Sequence, residues 1–338
     1  MDELRRRQEL ADLMGGQDKV RRQHDAGRLT VRERLAALLD EGSFHEIGAL
    51  AGKAAYDHDG ELTDFTAANF VAGTGRIAGR KVVVGGDDFT IRGGAADAAI
   101  MGKQIYAEQL ANQMRLPLVR LVEGTGGGGS VKMLEQLGHT YIPVNPGWDH
   151  VVDNLSTVPV VAAGLGPVAG LGAARLCMAH LSILVEGTAQ LFVAGPPVVK
   201  SGSGENVDKE RLGGSGVHGQ NAAVDLVAAS EPEAFGLIRR FLSYLPRSVY
   251  ERPPTIPPVQ PTGVRTPCWL PCPVTGVSPT GSDRSCRQLS TRARSWRCNA
   301  TADRPSPRWR GSMVIRWVWS PAIRMWPEAA SRSKAQRP

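Results

Sequence analysis

Residues 158–180 read VPVVAAGLGPVAGLGAARLCMAH, which is a short apolar run, a glycine-rich loop and then a run of small residues. Apolar runs of this length are typical of buried strands, and the segment after the loop favours a helix that begins near Gly170. Three more apolar runs end in glycine in the same way: KVVVGG at 81–86, LPLVRLVEG at 116–124 and LSILVEG at 181–187. With the helical stretch 96–114 among them, this alternation predicts a layered α/β domain whose working face lies at the glycine-rich strand ends.

The loop from Gly164 to Gly170 does not match the known nucleotide-binding loops. Its glycines miss the GxGxxG spacing, Pro167 has no N–H, and no Gly-Lys-Ser/Thr triplet follows any of these loops. Backbone N–H groups at the start of the next helix are suited to an oxyanion, because the small residues there let a ligand approach the main chain. The same glycines also fit a role in close helix packing, and the pattern leaves both interpretations open.

The first 42 residues are polar and charged, with leucines at helical spacing. Leu4, Leu10 and Leu13 fall roughly on one face of a helix, and VRERLAALLDEG at 31–42 continues the pattern. We expect amphipathic helices here, with Gly42 ending the second.

Charge and composition divide the 338-residue chain near residue 262. The formal net charge is +7, yet residues 262–338 alone hold 14 Lys and Arg against 3 acidic residues, together with six of the seven Trp. The 42% hydrophobic content is sufficient for a globular core. Because the basic excess lies entirely in the last segment, we do not expect nucleic acid as a partner.

The amino-terminal residues and the cysteines predict the cellular location. The chain begins with mixed charges and no apolar run, so we expect neither a signal peptide nor a membrane partner. Cys177 is the single cysteine before residue 262, which is typical of a reducing compartment. The expectation is a cytoplasmic protein.

Several motifs follow one another in an order known from one enzyme family. They are RERLAALLDEGSFHEIG at 32–48, DDFTIRGGA at 87–95, GPVAGLGAA at 166–174, ILVEGTAQLFVAGPPVVKSGSGENVDKERLGGSGVHGQ at 183–220 and LIRRFLSYLP at 237–246. In order and spacing they resemble the amino-terminal half of the carboxyltransferase (β) subunits of biotin-dependent acyl-CoA carboxylases, of the propionyl-CoA, methylcrotonyl-CoA and acetyl-CoA types. The resemblance runs from about residue 28 to about residue 258.

The resemblance implies a fold and a division of the chain. The fold would be α/β, a crotonase-like (ClpP/crotonase) spiral ββα domain. Residues 1–65 would form its N-terminal helical region and residues 66–261 the acyl-CoA carboxyltransferase domain. Residues 1–176 contain no Cys, which excludes the zinc-ribbon variant of the family, and we expect no metal.

The resemblance also implies a reaction and a site. Members of this family transfer a carboxyl group from carboxybiotin to the α carbon of an acyl-CoA through a thioester enolate. The backbone amides of Gly170 and Leu171 would form the oxyanion hole. The acyl-CoA cleft would be lined by Gly93, Gly94, Gly126, Gly127, Gly128 and Gly129. Two positions depart from the family pattern: Leu171 replaces a usual Gly, which bears on the acyl groups that fit, and the Gly126 to Gly129 run replaces Gly-Gly-Ala-Arg.

Four histidines are candidate general bases by residue type: His139, His150, His180 and His218. In the family that the chain resembles, the ureido group of biotin takes the proton, so no histidine is required. We interpret all four as structural or surface residues.

The resemblance implies partners rather than a covalently bound cofactor. Biotin would be carried on a partner protein or domain, and acyl-CoA would be the substrate. The partners would be a biotin carboxylase or biotin carrier subunit, and further carboxyltransferase subunits in a homo-oligomer. A biotin-dependent acyl-CoA decarboxylase and an inactive truncated product are the alternatives to a carboxylase.

Residues 262–338 do not resemble the second crotonase-like domain of the family, so we expect this chain to retain only the acyl-CoA-binding half. Thirteen Arg and two Leu in this segment cannot build a core. A basic tail, a metal site at Cys268 and Cys272 and an RNA-binding arm are the ordinary interpretations. A further hypothesis is a frameshift near residue 262. With permitted codons, SMVIRWVWSPAIRMWPEAA at 312–330, read one nucleotide out of register, gives Asp-Gly-His-Pro-Val-Gly-Val, which resembles the start of that second domain.

Overall fold

The computed structural model describes residues 2–95, 101–124, 135, 137–139 and 147–254. Ten strands occur in these residues: β1 (His45–Ile47), β2 (Gly52–Tyr56), β3 (Leu62–Ala67), β4 (Phe70–Ile77), β5 (Arg80–Asp87), β6 (Leu118–Gly124), β7 (Val160–Ala169), β8 (Leu181–Val185), β9 (Gln190–Phe192) and β10 (Leu226–Ala228). The four apolar runs of the sequence are therefore strands, as predicted.

The helices of the described residues are α1 (Asp2–Asp12), α2 (Gln17–Asp25), α3 (Val31–Leu38), α4 (Met101–Met114), α5 (Trp148–Thr157), α6 (Leu171–Cys177), α7 (Pro196–Ser203), α8 (Lys209–Gly213), α9 (Ser215–His218) and α10 (Glu231–Ser243). A 3-10 turn spans Arg92–Gly94. In the part of the chain that the structure describes, every helix is too short or too polar to span a membrane.

One mixed sheet organises the domain. Its order is β1-β4-β5-β6-β7-β8-β10, with β9 paired to β7, while β2 and β3 form a separate hairpin. β1, β4 and β5 are antiparallel neighbours, and β5 through β8 and β10 pair in parallel. Parallel strands need crossover connections, which are supplied here by helices such as α6 between β7 and β8.

Both faces of the sheet are buried, which explains why its strands have continuous apolar sequences. Successive side chains of a strand point to opposite faces. Val82 and Val84 accordingly lie in a core with α3 and α10, whereas Val83 lies in a second core with Ala107 and Ala111 of α4. The sheet is thus a central layer with helices on each side.

Helix α3 has a well-defined start and an earlier end than the sequence predicted. Thr30 and Glu33 form a capping box, in which the Glu33 carboxylate accepts from the Thr30 amide at 2.8 Å. The expected end at Gly42 is wrong, because Leu39 is already extended and buried. A Cβ on Gly75 would lie 2.7 Å from Leu39 Cδ1, so burying Leu39 against this strand requires the chain to leave the helix there.

The carboxyl ends of β5, β6 and β7 meet at one edge of the sheet. They are adjacent and parallel, and they end at Asp87, Gly124 and Ala169. The turns that follow these strands are therefore neighbours, which is the usual place for a ligand site in an α/β sheet.

Candidate functional site

The turn after β7 has a backbone conformation that requires glycine. Gly170 has φ 58° and ψ −121°, which L side chains rarely adopt, and α6 begins at the next residue. A Cβ at this position would have 4.0 Å to its nearest neighbour, Val193 O, so conformation rather than crowding imposes the glycine. The predicted helix start near Gly170 is confirmed.

The two amides predicted as oxyanion donors lie side by side in this turn, but they differ in their bonding. The Gly170 N–H donates to Phe192 O at 3.1 Å, as part of the pairing of β7 with β9. The first bond within α6 runs from Ala174 N to Gly170 O at 3.2 Å. The Leu171 amide is therefore the first of the helix and has no carbonyl partner within it. Of the predicted pair, Leu171 is the better placed to donate to a ligand.

The glycines predicted to line an acyl-CoA cleft fall partly in the described residues. Gly93 and Gly94 lie in the 3-10 turn with φ of 61° and 69°. This turn contacts the end of β6 closely, since a Cβ on Gly124 would lie 2.7 Å from Gly93 O. Gly126 to Gly129 lie outside the described residues, as do Cys268 and Cys272.

Four buried charged residues, which the sequence patterns did not predict, surround helix α6 behind the turn after β7. Arg120 of β6 binds Glu108 of α4 through two hydrogen bonds of 2.8 Å each. Arg175 of α6 lies between two carboxylates, with Nη1 3.8 Å from Asp87 Oδ1 and Nη2 3.6 Å from Glu108 Oε1. All four side chains are at most 4% exposed. We refer to Asp87, Glu108, Arg120 and Arg175 as the buried network.

Burial and pairing shift the acidic groups of the buried network in opposite directions. Burial raises the pKa of Asp87 to about 6, although Arg175 opposes this shift. Burial also disfavours the charged form of Glu108, but the guanidinium of Arg120 outweighs it, and the pKa of Glu108 is lowered. Glu108 is thus held as a carboxylate, while Asp87 titrates in a mildly acidic range.

A second charged cluster fastens the N-terminal helices to the end of β6. The Arg34 guanidinium pairs with Glu123 and also with Glu231 at 2.7 Å. Arg28 Nε lies 3.1 Å from Glu123 Oε1, and Gln23 donates to Glu123 Oε2 at 2.9 Å. Because Glu123 directly precedes Gly124, these contacts hold α2 and α3 against the strand edge where the glycine turns lie.

Three of the four candidate histidines form hydrogen bonds with main-chain groups. His180 accepts from Val160 N at 3.0 Å and donates to Leu155 O at 2.9 Å, and burial lowers its pKa to about 4. Its ring is therefore neutral and fully bonded near neutral pH. His218 donates to Leu191 O at 2.7 Å, and His139 bonds to Leu137 O at 2.9 Å. His150 lies in the first turn of α5.

Comparison with known proteins gives one consistent result. The family model described as carboxyl transferase domain matches residues 22–273, so its match extends slightly beyond residue 261. The propionyl-CoA carboxylase carboxyltransferase subunit of Haloferax mediterranei is 30% identical over 76% of this chain and 49% of its own length. The methylmalonyl-CoA decarboxylase subunit alpha of Propionigenium modestum is 30% identical over 75% of this chain and 48% of its own length.

A solved structure supports the same relationship. One chain of the transcarboxylase 12S structure, a hexamer with methylmalonyl-coenzyme A and methylmalonic acid bound, superposes with a TM-score of 0.64 at 27% identity. The superposition covers 76% of this chain and 50% of the transcarboxylase chain. The chain spans about half the length of the curated relatives that it matches.

Proposed function

This chain belongs to the carboxyl transferase domain family and has its crotonase-like α/β fold, and from that premise we propose that it binds an acyl-CoA and stabilises the thioester enolate that accepts a carboxyl group from carboxybiotin. The observation that carries the proposal is the turn Gly170–Leu171. It presents a backbone amide just after the carboxyl end of β7, which pairs with the end of β6 that the glycine turn Arg92–Gly94 contacts.

The proposed chemistry needs little from the side chains. The α proton would pass to the ureido group of biotin, which gives up its carboxyl group to the α carbon. The negative charge that develops on the thioester oxygen is stabilised by a fixed N–H donor. The Leu171 amide supplies one donor. The Gly170 amide can supply a second only if it gives up its bond to Phe192 O. Removal of one donor of such a pair typically costs about 10²- to 10³-fold in rate.

The carboxyl group arrives, in this proposal, on a biotin that is attached to a partner. The partner is a biotin carboxylase or biotin carrier subunit, and this chain itself carries no covalently bound cofactor. Since the related transcarboxylase 12S is a hexamer, we propose that this chain also assembles with further carboxyltransferase subunits. The proposed location is the cytoplasm.

Ligand binding is the direct test, because the chain spans about half the length of its relatives. Isothermal titration of the purified 338-residue chain with propionyl-CoA and with free CoA measures whether the thioester adds affinity. Tighter binding of propionyl-CoA than of CoA is expected. If neither ligand binds, the proposed function is wrong.

A decarboxylase is the second candidate, because the methylmalonyl-CoA decarboxylase subunit of Propionigenium modestum matches as well as the carboxylase relatives do. Such an enzyme would run the same transfer in the opposite direction, through the same enolate. Binding of methylmalonyl-CoA at least ten times tighter than of propionyl-CoA would favour the decarboxylase. Preference for propionyl-CoA would favour the carboxylase.

We also propose a division of the chain into three parts. Residues 1–65 form the N-terminal region, which is not helical throughout as predicted, because it holds β1, β2 and most of β3 after α1 to α3. Residues 66–261 carry the acyl-CoA site, and residues 262–338 are translated out of frame. The nucleotide sequence of codons 250–330 tests the last part. Codons that cannot yield the displaced string Asp-Gly-His-Pro-Val-Gly-Val near residue 312 would exclude a frameshift, and an intact mass of 36.2 kDa would show that the segment is nevertheless made.

A further inference from the structure

Helix α6 carries the Leu171 amide at its start. Charged residues of β5, α4 and β6 contact this helix through its Arg175 side chain or its last carbonyls. We infer that the buried network of Asp87, Glu108, Arg120 and Arg175 consists of positioning residues, which fix the turn 169–171 in the orientation that its amide needs. This inference rests on the proposed function of that turn. None of the four side chains needs to touch the substrate.

Arg120 fixes the far end of the helix. Its Nη1 donates to the carbonyls of Arg175 at 3.1 Å and of Met178 at 2.5 Å, which belong to the last turn of α6 and its C-cap. The other side of the same guanidinium is bound by Glu108. Because β6 is a central strand next to β7, these bonds tie the helix end to the middle of the sheet.

Arg175 fixes the rotation of the helix about its axis. Its side chain lies between Asp87 and Glu108, and its Cζ is 5.5 Å from the centre of the Phe70 ring. Arg175 is four residues after Leu171 and therefore on the same helix face, one turn away. A rotation that moved the Leu171 amide would pull Arg175 away from both carboxylates.

The network also connects the two proposed ligand-binding turns. Asp87 Oδ2 accepts from the Glu123 amide at 3.1 Å, at the end of β6 where the Gly93 turn makes its close contact. Glu108 belongs to α4, the first helix after that turn in the described residues, and accepts from Asn154 at 3.0 Å. The spacing between the two turns is thereby set by bonds among buried groups.

Stability alone does not account for this arrangement. Buried ion pairs lose much of their attraction to desolvation, and apolar residues of similar size often stabilise a protein as well or better. A rigid polar support is what a site requires when a donor must be held to within about 0.5 Å. The network lies directly behind such a donor, which favours a role in positioning.

The test separates positioning from folding by means of two variants and a control. Arg175→Met removes the central charge, and the double variant Asp87→Asn/Arg175→Met also removes the carboxylate that it leaves unpaired. Phe235→Leu disturbs the core under α10 and leaves the network intact. Each full-length protein is titrated with CoA, and the thioester C=O stretch of bound ¹³C-carbonyl propionyl-CoA is recorded by isotope-edited infrared spectroscopy.

In the unaltered chain, a hydrogen bond from the turn should lower the C=O frequency relative to free propionyl-CoA. Arg175→Met should bind CoA within about twofold of the unaltered chain and lose at least half of the frequency shift. The double variant should regain thermal stability without regaining the shift, and Phe235→Leu should keep the shift.

Two results would overturn the inference alone: a full shift in Arg175→Met, or a shift that returns in the double variant together with stability. Failure of the unaltered chain to bind propionyl-CoA would instead overturn the proposed function, and the inference with it. If Arg175→Met does not fold, the double variant provides the decisive comparison.

Discussion

Replacing Gly170 by Ala tests whether the turn after β7 is strained and whether its Leu171 amide donates a hydrogen bond to the thioester. At φ 58° and ψ −121°, an L residue is strained by about 1–3 kcal/mol. The nearest atom to the added Cβ is Val193 O at 4.0 Å, so no clash adds to this strain. Gly170→Ala should therefore lower the free energy of unfolding by about 1–3 kcal/mol, or roughly 2–4 °C in Tm for each kcal/mol.

Part of the strain should be relieved by rotation of the turn, which moves the Leu171 amide. A lost neutral hydrogen bond is worth about 1 kcal/mol, so propionyl-CoA should bind about fivefold more weakly while CoA binding changes little. Urea denaturation and isothermal titration measure the two effects. The matched control is Gly60→Ala, which also has positive φ (82°) and free space around it but lies in the hairpin turn between β2 and β3.

Gly60→Ala should lower stability without changing the affinity for propionyl-CoA. If the two variants bind propionyl-CoA equally well, the Gly170 turn does not donate to the thioester. If Gly170→Ala costs less than about 0.5 kcal/mol, the backbone strain argument itself is wrong.

Three further predictions concern other parts of the same domain. Arg34→Met should cost about 3–5 kcal/mol in urea denaturation, because it removes the ion pair of the buried Glu231 and leaves the buried Glu123 with Arg28 as its remaining cation. Arg21→Met, whose pair is exposed, should cost less than about 1 kcal/mol. Burial raises the pKa of Asp87 from 3.8 to about 6, so its contribution to stability is present below pH 3.8 and is lost as the pH rises through 6. Burial lowers the pKa of His180 from 6.5 to about 4, so its contribution is present above pH 6.5 and is lost as the pH falls through 4. Between pH 4 and 6.5, the free energy of unfolding should therefore rise more steeply with pH in Asp87→Asn than in the unaltered chain. It should rise less steeply in His180→Gln. The reverse order of slopes would contradict the two pKa shifts. Leu171→Gly keeps the backbone amide and frees the space of the leucine side chain. Hexanoyl-CoA should therefore gain affinity relative to propionyl-CoA by about fourfold for each methylene that becomes buried. Isothermal titration with both ligands measures this ratio.

Local patterns were sufficient to predict four of the ten strands in the described residues and the start of α6. Short apolar runs that end in glycine predicted β5 to β8. Strands that are buried on both faces have nearly continuous apolar sequences, so they stand out from the polar segments around them. The early end of α3 was not predictable in this way. It depends on Leu39 packing against Gly75, a contact with a strand that lies 36 residues further along the chain.

The buried network was missed for a related reason. Arg120 and Glu123 interrupt the apolar run LPLVRLVEG, and a charged residue in a strand is ordinarily expected to face solvent. A signal was nevertheless present, since the strand was predicted to be buried and a buried charge must have a partner. The partners themselves, such as Arg175 for Asp87, are far apart in sequence, and only the fold identifies them.

Gly164 and Gly166 lie within β7 and Gly170 follows it, and the surroundings of the three glycines bear on the two roles that the sequence left open. A Cβ on Gly164 would lie 2.9 Å from Leu176 Cδ2, and one on Gly166 would lie 2.2 Å from Glu123 Oε1. Both glycines are buried and serve close packing. Gly170 has free space but a backbone conformation that other residues rarely adopt, and it is exposed. Packing therefore accounts for the first two glycines and not for the third. Of these three glycines, Gly170 alone combines a strained conformation with access from solvent, and this favours our proposal that the oxyanion hole lies at Gly170 and Leu171.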